Sequence, residues 1–138
     1  MRKILSLLLI FGLLLWYGIE VYPQTINGVK VKLAQINNND RFLLLEVINN
    51  SRKKVILQAE TDIILAIDKE MRQSYGSFFG ERELLRKLSI SREYRYEGIL
   101  HPGSVKKIYV FFDERSNIQL NSIKTIIYHF NGLKFRLI

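Results

Sequence analysis

The residues that could carry chemistry in this chain are few: two histidines, no cysteine, and carboxylates scattered along 138 residues. His101 stands before Pro102-Gly103 and reads as a solvated turn residue rather than a general base. His129 falls beside Lys134 on the outer face of a C-terminal hairpin, where cross-strand packing accounts for it. No spacing joins either histidine to carboxylates in the manner of a zinc site. Asp62, Asp68 and Glu70, or Asp40 after Asn37 to Asn39, lack the alternating ligand order of a calcium loop. Gly76 and Gly80 are not followed by the Lys-Ser or Lys-Thr of a phosphate-binding loop. Absence of cysteine removes disulfides, thiolate metal sites, a thiol nucleophile and a lipid-modified Cys after the leader. The chain is therefore expected not to be an enzyme, with no catalytic, metal or cofactor-binding residue and no cofactor.

Residues suited to recognition are easier to find. Tyr75, Phe78 and Phe79 lie in an irregular stretch, Met71 to Gly80, where rigid rings would give large contact area at small entropic cost. The competing role for these rings is to fold back and cap the core. Arg52, Lys53 and Lys54, with Lys106 and Lys107, would make a basic patch near a membrane; protection of an exposed strand edge explains them as well. Tyr75, Phe78, Phe79, Arg52, Lys53 and Lys54 are the candidate partner-binding residues. The formal charge is +8, of which Arg2, Lys3 and Glu20 in the leader account for one unit. The cations are spread along the chain, so nucleic acid is not an expected partner.

Strands must position these residues. Asn27-Gly28 is a two-residue hairpin turn that pairs Ile26 with Val29 and Gln24 with Val31. Val29, Val31 and Leu33 then share a buried face against Lys30 and Lys32. Phe42 to Ile48 is apolar on both faces except at Glu46, which predicts a central strand covered on one side by another sheet or by the long loop. Further strands are expected from Val55 to Glu60, Ile63 to Ile67, Ser91 to Glu97, Val105 to Phe112 and Lys124 to Phe130. Leu84, Leu85 and Leu88 at helical spacing predict one short amphipathic helix over Glu81 to Leu88. Asn131-Gly132 closes the last hairpin and pairs Phe130 with Leu133, Tyr128 with Phe135 and Ile126 with Leu137.

Residues 1 to 24 begin with Arg2 and Lys3 and run through an apolar stretch from Ile4 to Ile19. That stretch is long for a signal-peptide core and short of the roughly 20 residues that cross a bilayer comfortably. Small residues for cleavage are lacking near its end, and Trp16, Tyr17 and Tyr22 suit a membrane interface. An N-terminal hydrophobic helix serving as signal peptide or, by preference, signal anchor is expected. Residues 25 to 138 form one exported domain in the periplasm or at the cell surface.

Two pairs of motifs carry a family likeness. Val47 to Ser51 (V-x-N-N-S) leads through a cationic turn to Ile67 to Glu70 (I-D-K-E), and Leu100 to Gly103 (L-x-P-G) leads to Phe111 to Asp113 (F-F-D). The chain resembles small exported immunoglobulin-like domains of bacteria, in particular the FxLYD type, over about Val29 to Phe112. The resemblance implies an all-β fold, an immunoglobulin-like antiparallel β-sandwich of about seven to nine strands with one short helix. It implies no catalytic residue. The Tyr75 to Leu88 stretch is a long insertion relative to that pattern, and Ala66-Ile67 stands where an aromatic is common. The expected function is non-enzymatic: protein–protein interaction or envelope assembly with an unidentified protein partner in the cell envelope, through the loop or an open sheet edge. The alternatives are a surface glycan- or lipid-binding module using Tyr94, Tyr96 and Phe78, and a hydrolase on the same scaffold built around a histidine.

Overall fold

A computed structural model describes residues 24–91 and 93–138; the leader expected over residues 1 to 24 lies, except for Gln24, outside them. The chain folds as an all-β sandwich. One sheet has the order β1-β2-β3-β8, formed by β1 (Gln24–Ile26), β2 (Val29–Asn37), β3 (Phe42–Asn49) and β8 (Val105–Phe111). The other has the order β10-β9-β5-β6, formed by β5 (Ile63–Asp68), β6 (Gln73–Tyr75), β9 (Ile123–Phe130) and β10 (Leu133–Leu137). A separate two-stranded ribbon joins β4 (Val55–Leu57) to β7 (Gly98–Leu100). Every pairing is antiparallel. Strands β2, β3 and β8 in one sheet and β5, β9 and β10 in the other reproduce the division of an immunoglobulin constant-type domain. The ten strands exceed the expected number because β1, β4, β6 and β7 are three-residue pieces.

Both hairpin registers agree with the turn chemistry. Asn27 and Gly28 take φ of 51° and 82°, Asn131 and Gly132 take 52° and 72°, and the pairs flanking them are those expected. Val29, Val31, Leu33, Leu43, Leu45 and Val47 face inward, as do Ile108, Val110 and Phe112, against Ile64, Ala66, Ile126, Tyr128, Phe135 and Leu137. A bulge between Leu33 and Gln35 shifts the parity of β2, so Ile36, paired with Leu43, returns to the inner face at its rim and stays 37% exposed.

The central position of β3 is confirmed, its inner side is covered by the other sheet, and the outer side is buried only at its Phe42 end. Phe42, on its outer side, is 3% exposed, with ring centroids 6.0 Å from Tyr109 and 6.3 Å from Phe111. The segment from Gly76 to Tyr96 wraps over that corner. At its start the chain changes sheets: Gly76 N–H donates to Ile64 O at 2.9 Å, and Ser77 then exchanges two 2.8 Å hydrogen bonds with Phe111. The short helix expected from the leucine spacing is α1 (Arg82–Lys87). It ends in a Schellman motif, Ser89 N–H to Arg86 O and Ile90 N–H to Leu85 O, with Ser89 at φ 58° where glycine is usual. Ser89→Gly is expected to raise stability by about 0.5–1 kcal/mol, read as a shift in urea midpoint at constant slope.

Two expected strands are corrected. Among residues 91–97 none of the described ones pairs in a strand: Tyr96 plunges into the core at 1% exposure, and the Tyr94 hydroxyl accepts the backbone N–H of Tyr109 at 2.9 Å. Their alternation reflects one ring going in and the next lying along an edge. The strand from Val55 stops at Leu57 rather than Glu60, because Asp62 Oδ2 accepts Gln58 N–H at 2.8 Å and the Thr61 and Asp62 N–H groups turn back to Gln58 O.

Candidate partner-binding groove

The insertion and the β4-β7 ribbon enclose a groove of about 680 Å³. Its sequence origin is the run from Ser77 to Gly80. The Ser77 hydroxyl accepts Phe79 N–H at 3.1 Å, a local turn that sends the two adjacent phenylalanines in opposite directions. Phe78 goes inward, 5% exposed, and stacks on Tyr96 at 3.8 Å and 11°. Phe79 goes outward, 67% exposed, onto the rim. Opposite it stand Ile56 and Ile99, directly paired across the ribbon and 45% and 54% exposed. Half-buried Leu85 of α1 and Tyr94 complete the apolar wall, with Arg95 and Glu97 beside them. Lys87 Nζ to Asp40 Oδ1, 2.8 Å, anchors the helix to the β2–β3 turn.

Beneath the stacked rings lies a polar chain. Tyr96 donates to Asp62 Oδ2 at 2.6 Å, so its oxygen accepts from the Tyr128 hydroxyl. Burial pushes both phenols far above their ordinary titration range, and the neighbouring Tyr128 and Asp62 reinforce this at Tyr96. The phenols stay protonated and act as fixed donors inside the core. Tyr94 is pushed up to about 12 by burial. These groups hold the groove floor in shape and do not face it as reactive atoms.

The six residues singled out from sequence are divided by the fold. Phe79 reaches the groove rim. Phe78 is a core residue in its floor, which corrects its place among contact residues. Tyr75 projects from the outer face of β6, opposite Leu65, away from the groove. Arg52, Lys53 and Lys54 are exposed and immediately precede the β4 wall. Lys106 and Lys107, expected to join them in one patch, do not share a face with each other. Those two project to opposite faces of β8, Lys106 aligned with Val47 and Lys107 with Glu46. The rings named for a glycan or lipid platform form none, since Phe78 and Tyr96 are buried and the Tyr94 edge packs on Tyr109 at 5.2 Å. His101 is exposed in its turn, and His129 is exposed across from Lys134. His129, Asp62 and Thr61 line a shallow depression of about 430 Å³. Among the described residues no histidine–carboxylate ion pair and no group of three metal-binding side chains occurs.

Ile56 and Ile99 were missed. Ile56 shares its strand parity with Gln58 and Glu60, so an apolar residue on that polar face was a readable signal. Leu85 was read as the inner face of a helix, which it is, but with the groove on its far side.

The remaining buried charge, Asp68, serves the frame. Its carboxylate accepts N–H groups from Glu70, Arg72 and Gln119 and the Arg72 guanidinium, all at 2.9–3.1 Å. Burial raises its pKa, but those donors, the Arg72 backbone first, outweigh it and hold the group below its ordinary value. A depressed folded-state pKa means that this stabilisation is present above the unfolded pKa and is lost as pH falls through the folded one. Thermal stability of the wild type should therefore drop on acidification below about pH 4, and Asp68→Asn should flatten that limb while lowering stability at neutral pH. An unchanged acid limb in Asp68→Asn would refute the assignment.

No family model matches the chain, and neither a curated protein nor a solved structure matches it.

Proposed function

We propose that this protein is a non-enzymatic, exported and membrane-tethered immunoglobulin-like domain of the FxLYD kind that captures a protein partner in the cell envelope. The observation that carries the reading is the cluster of Ile56, Phe79 and Ile99, three large apolar side chains exposed around one concave groove with an aromatic floor. Such a cluster costs solubility unless it is covered in use. Charge selects the occupant. Arg95 lies on the wall, Arg82 and Arg86 on α1, and Arg52, Lys53 and Lys54 at the head of β4; among the described residues none of these is ion-paired. Glu97 is the one carboxylate lining the groove. The partner is an acidic segment carrying apolar anchors, drawn in by the cations and held by the groove. The export pattern of residues 1 to 24 supports the location, and Arg2 and Lys3 support an outward-facing domain.

A photo-reactive residue at position 79 or 99 of the full chain, in intact cells, tests this. The expected result is one discrete adduct whose linked peptide is acidic, lost by at least about tenfold when Arg95→Glu is added, with an unchanged melting curve. Equal adduct formation from position 36, which is on β2 and outside the groove lining, would sink the reading. N-terminal sequencing of the mature protein and membrane fractionation test the tether: an intact leader in the membrane fraction is expected.

A further inference from the structure

The outer face of the β10-β9-β5-β6 sheet lacks the charges of both signs that the outer face of the opposite sheet carries. Where β2, β3 and β8 face outward they show Lys30, Lys32, Glu46 and Lys107 interspersed with Leu44, Ile48 and Val105, with an ion pair of 3.3 Å between Lys32 and Glu46. An antiparallel sheet with one solvated face is expected to look like this. On the other sheet, β5 shows Ile63, Leu65 and Ile67 outward. Leu65 lies in one cross-strand row with Tyr75 and Ile127, and the row ends at Arg136. Ile63 is 49% and Tyr75 70% exposed; Leu65, Ile67 and Ile127 are half-buried between them. The formal charges projecting from this face are Lys134 and Arg136 on β10, with His129 next to them and Lys124 at the bulge of β9. No carboxylate projects outward from these four strands, and no cation here is ion-paired among the described residues.

We infer that this sheet face is a second interface, separate from the groove, and that it takes the flat, acidic surface of another protein. An apolar centre with a one-sided cationic rim calls for a complementary centre and an anionic rim. A second copy of this chain supplies no carboxylate there, so its cations would remain unpaired or oppose one another. The apolar side chains are spread across a sheet face rather than raised on a tip, which suits a shape-complementary protein surface better than lipid headgroups.

The test uses the full-length chain in intact cells with a photo-reactive residue at position 63 or 127. The expected adduct is one protein whose linked peptide is rich in Asp and Glu. Its yield should fall at least about tenfold in the Lys134→Glu/Arg136→Glu variant and stay unchanged in Phe79→Glu, the groove variant. A melting curve like that of the wild type shows that the charge-reversed variant folds. An adduct of two copies of this chain overturns the inference in favour of self-association. Binding of the purified domain to phosphatidylglycerol vesicles, abolished by the same charge reversal, with no protein adduct, overturns it in favour of a membrane surface. No adduct from either position overturns it outright. Loss of the position-63 and position-127 adducts in Phe79→Glu would mean one continuous site and no second interface, leaving the groove reading intact.

Discussion

Asn49→Ala is expected to lower the stability of the domain by about 3 kcal/mol, a large part of the 5–15 kcal/mol that holds a domain of this size. Asn49 is fully buried, and every hydrogen-bonding position of its side chain is used. Nδ2 donates to Lys53 O at 2.8 Å and to Leu100 O at 2.9 Å, while Oδ1 accepts Ser51 N–H at 3.0 Å and the Ser51 hydroxyl at 2.6 Å. Its backbone donates to Ser104 O and accepts Gly103 N–H. The side chain thus ties the end of β3 to the cationic turn and to the end of β7, while the backbone holds the Pro102-Gly103 turn. Truncation leaves the donors and acceptors behind without partners, away from water, and that penalty exceeds the net worth of the bonds themselves. Asn49→Asp should do at least as much harm, because it sets a carboxylate oxygen against two carbonyls. Ser51→Ala, at the wetter side of the same cluster, should cost about 1 kcal/mol. Urea unfolding measures all three; a loss below about 1 kcal/mol for Asn49→Ala would show that the turn is held by its backbone alone. Because this turn carries Arg52, Lys53 and Lys54 and leads into β4, Asn49→Ala should also weaken partner capture at the groove.

Gly76→Ala is the second large effect, at about 2–3 kcal/mol, and its cause is space alone. Gly76 is where the chain leaves β6 and crosses to the other sheet, and a Cβ there would lie 2.2 Å from Val110 Cγ1, 3.0 Å from Ile64 Cγ2 and 3.2 Å from Phe112 Cζ. Val110 and Ile64 are buried in opposite sheets and have no room to give way. The double variant Gly76→Ala/Val110→Ala should be less destabilised than the sum of the two single changes, since the second opens the volume the first needs. Strict additivity would place the cost elsewhere. Gly103 supplies the contrast: it has nothing within 4 Å of a Cβ but takes φ of 82°, so Gly103→Ala should cost only the roughly 1–2 kcal/mol of left-handed backbone. A marginal Gly76→Ala fold should also release Phe78 and Phe79, and with them the groove rim, before the sandwich melts.

What the sequence by itself determined is whatever depends on neighbours a few residues apart. Asn27-Gly28 and Asn131-Gly132 set two hairpins in register, because only those residue types accept two consecutive positive φ angles at little cost. Period-two alternation sorted the inner and outer faces of β2, β8, β9 and β10, and the doubly apolar β3 announced a central strand with a covered side. The site followed other rules. Phe78 and Phe79 are identical and adjacent, so nothing local says which is core and which is rim; a turn at Ser77 and the arrival of Tyr96 decide it. Residues 91–97 alternate like a strand, yet no partner strand lies alongside the described ones, and strand pairing is a property of the assembled sheet. Only the tertiary structure brought Asp62 to Tyr96 and Tyr128, Ser77 to Phe111, and Ile56 to Ile99. Those contacts join residues more than thirty positions apart, where the entropy of closing the loop is met by the whole core and no short stretch of sequence encodes the outcome.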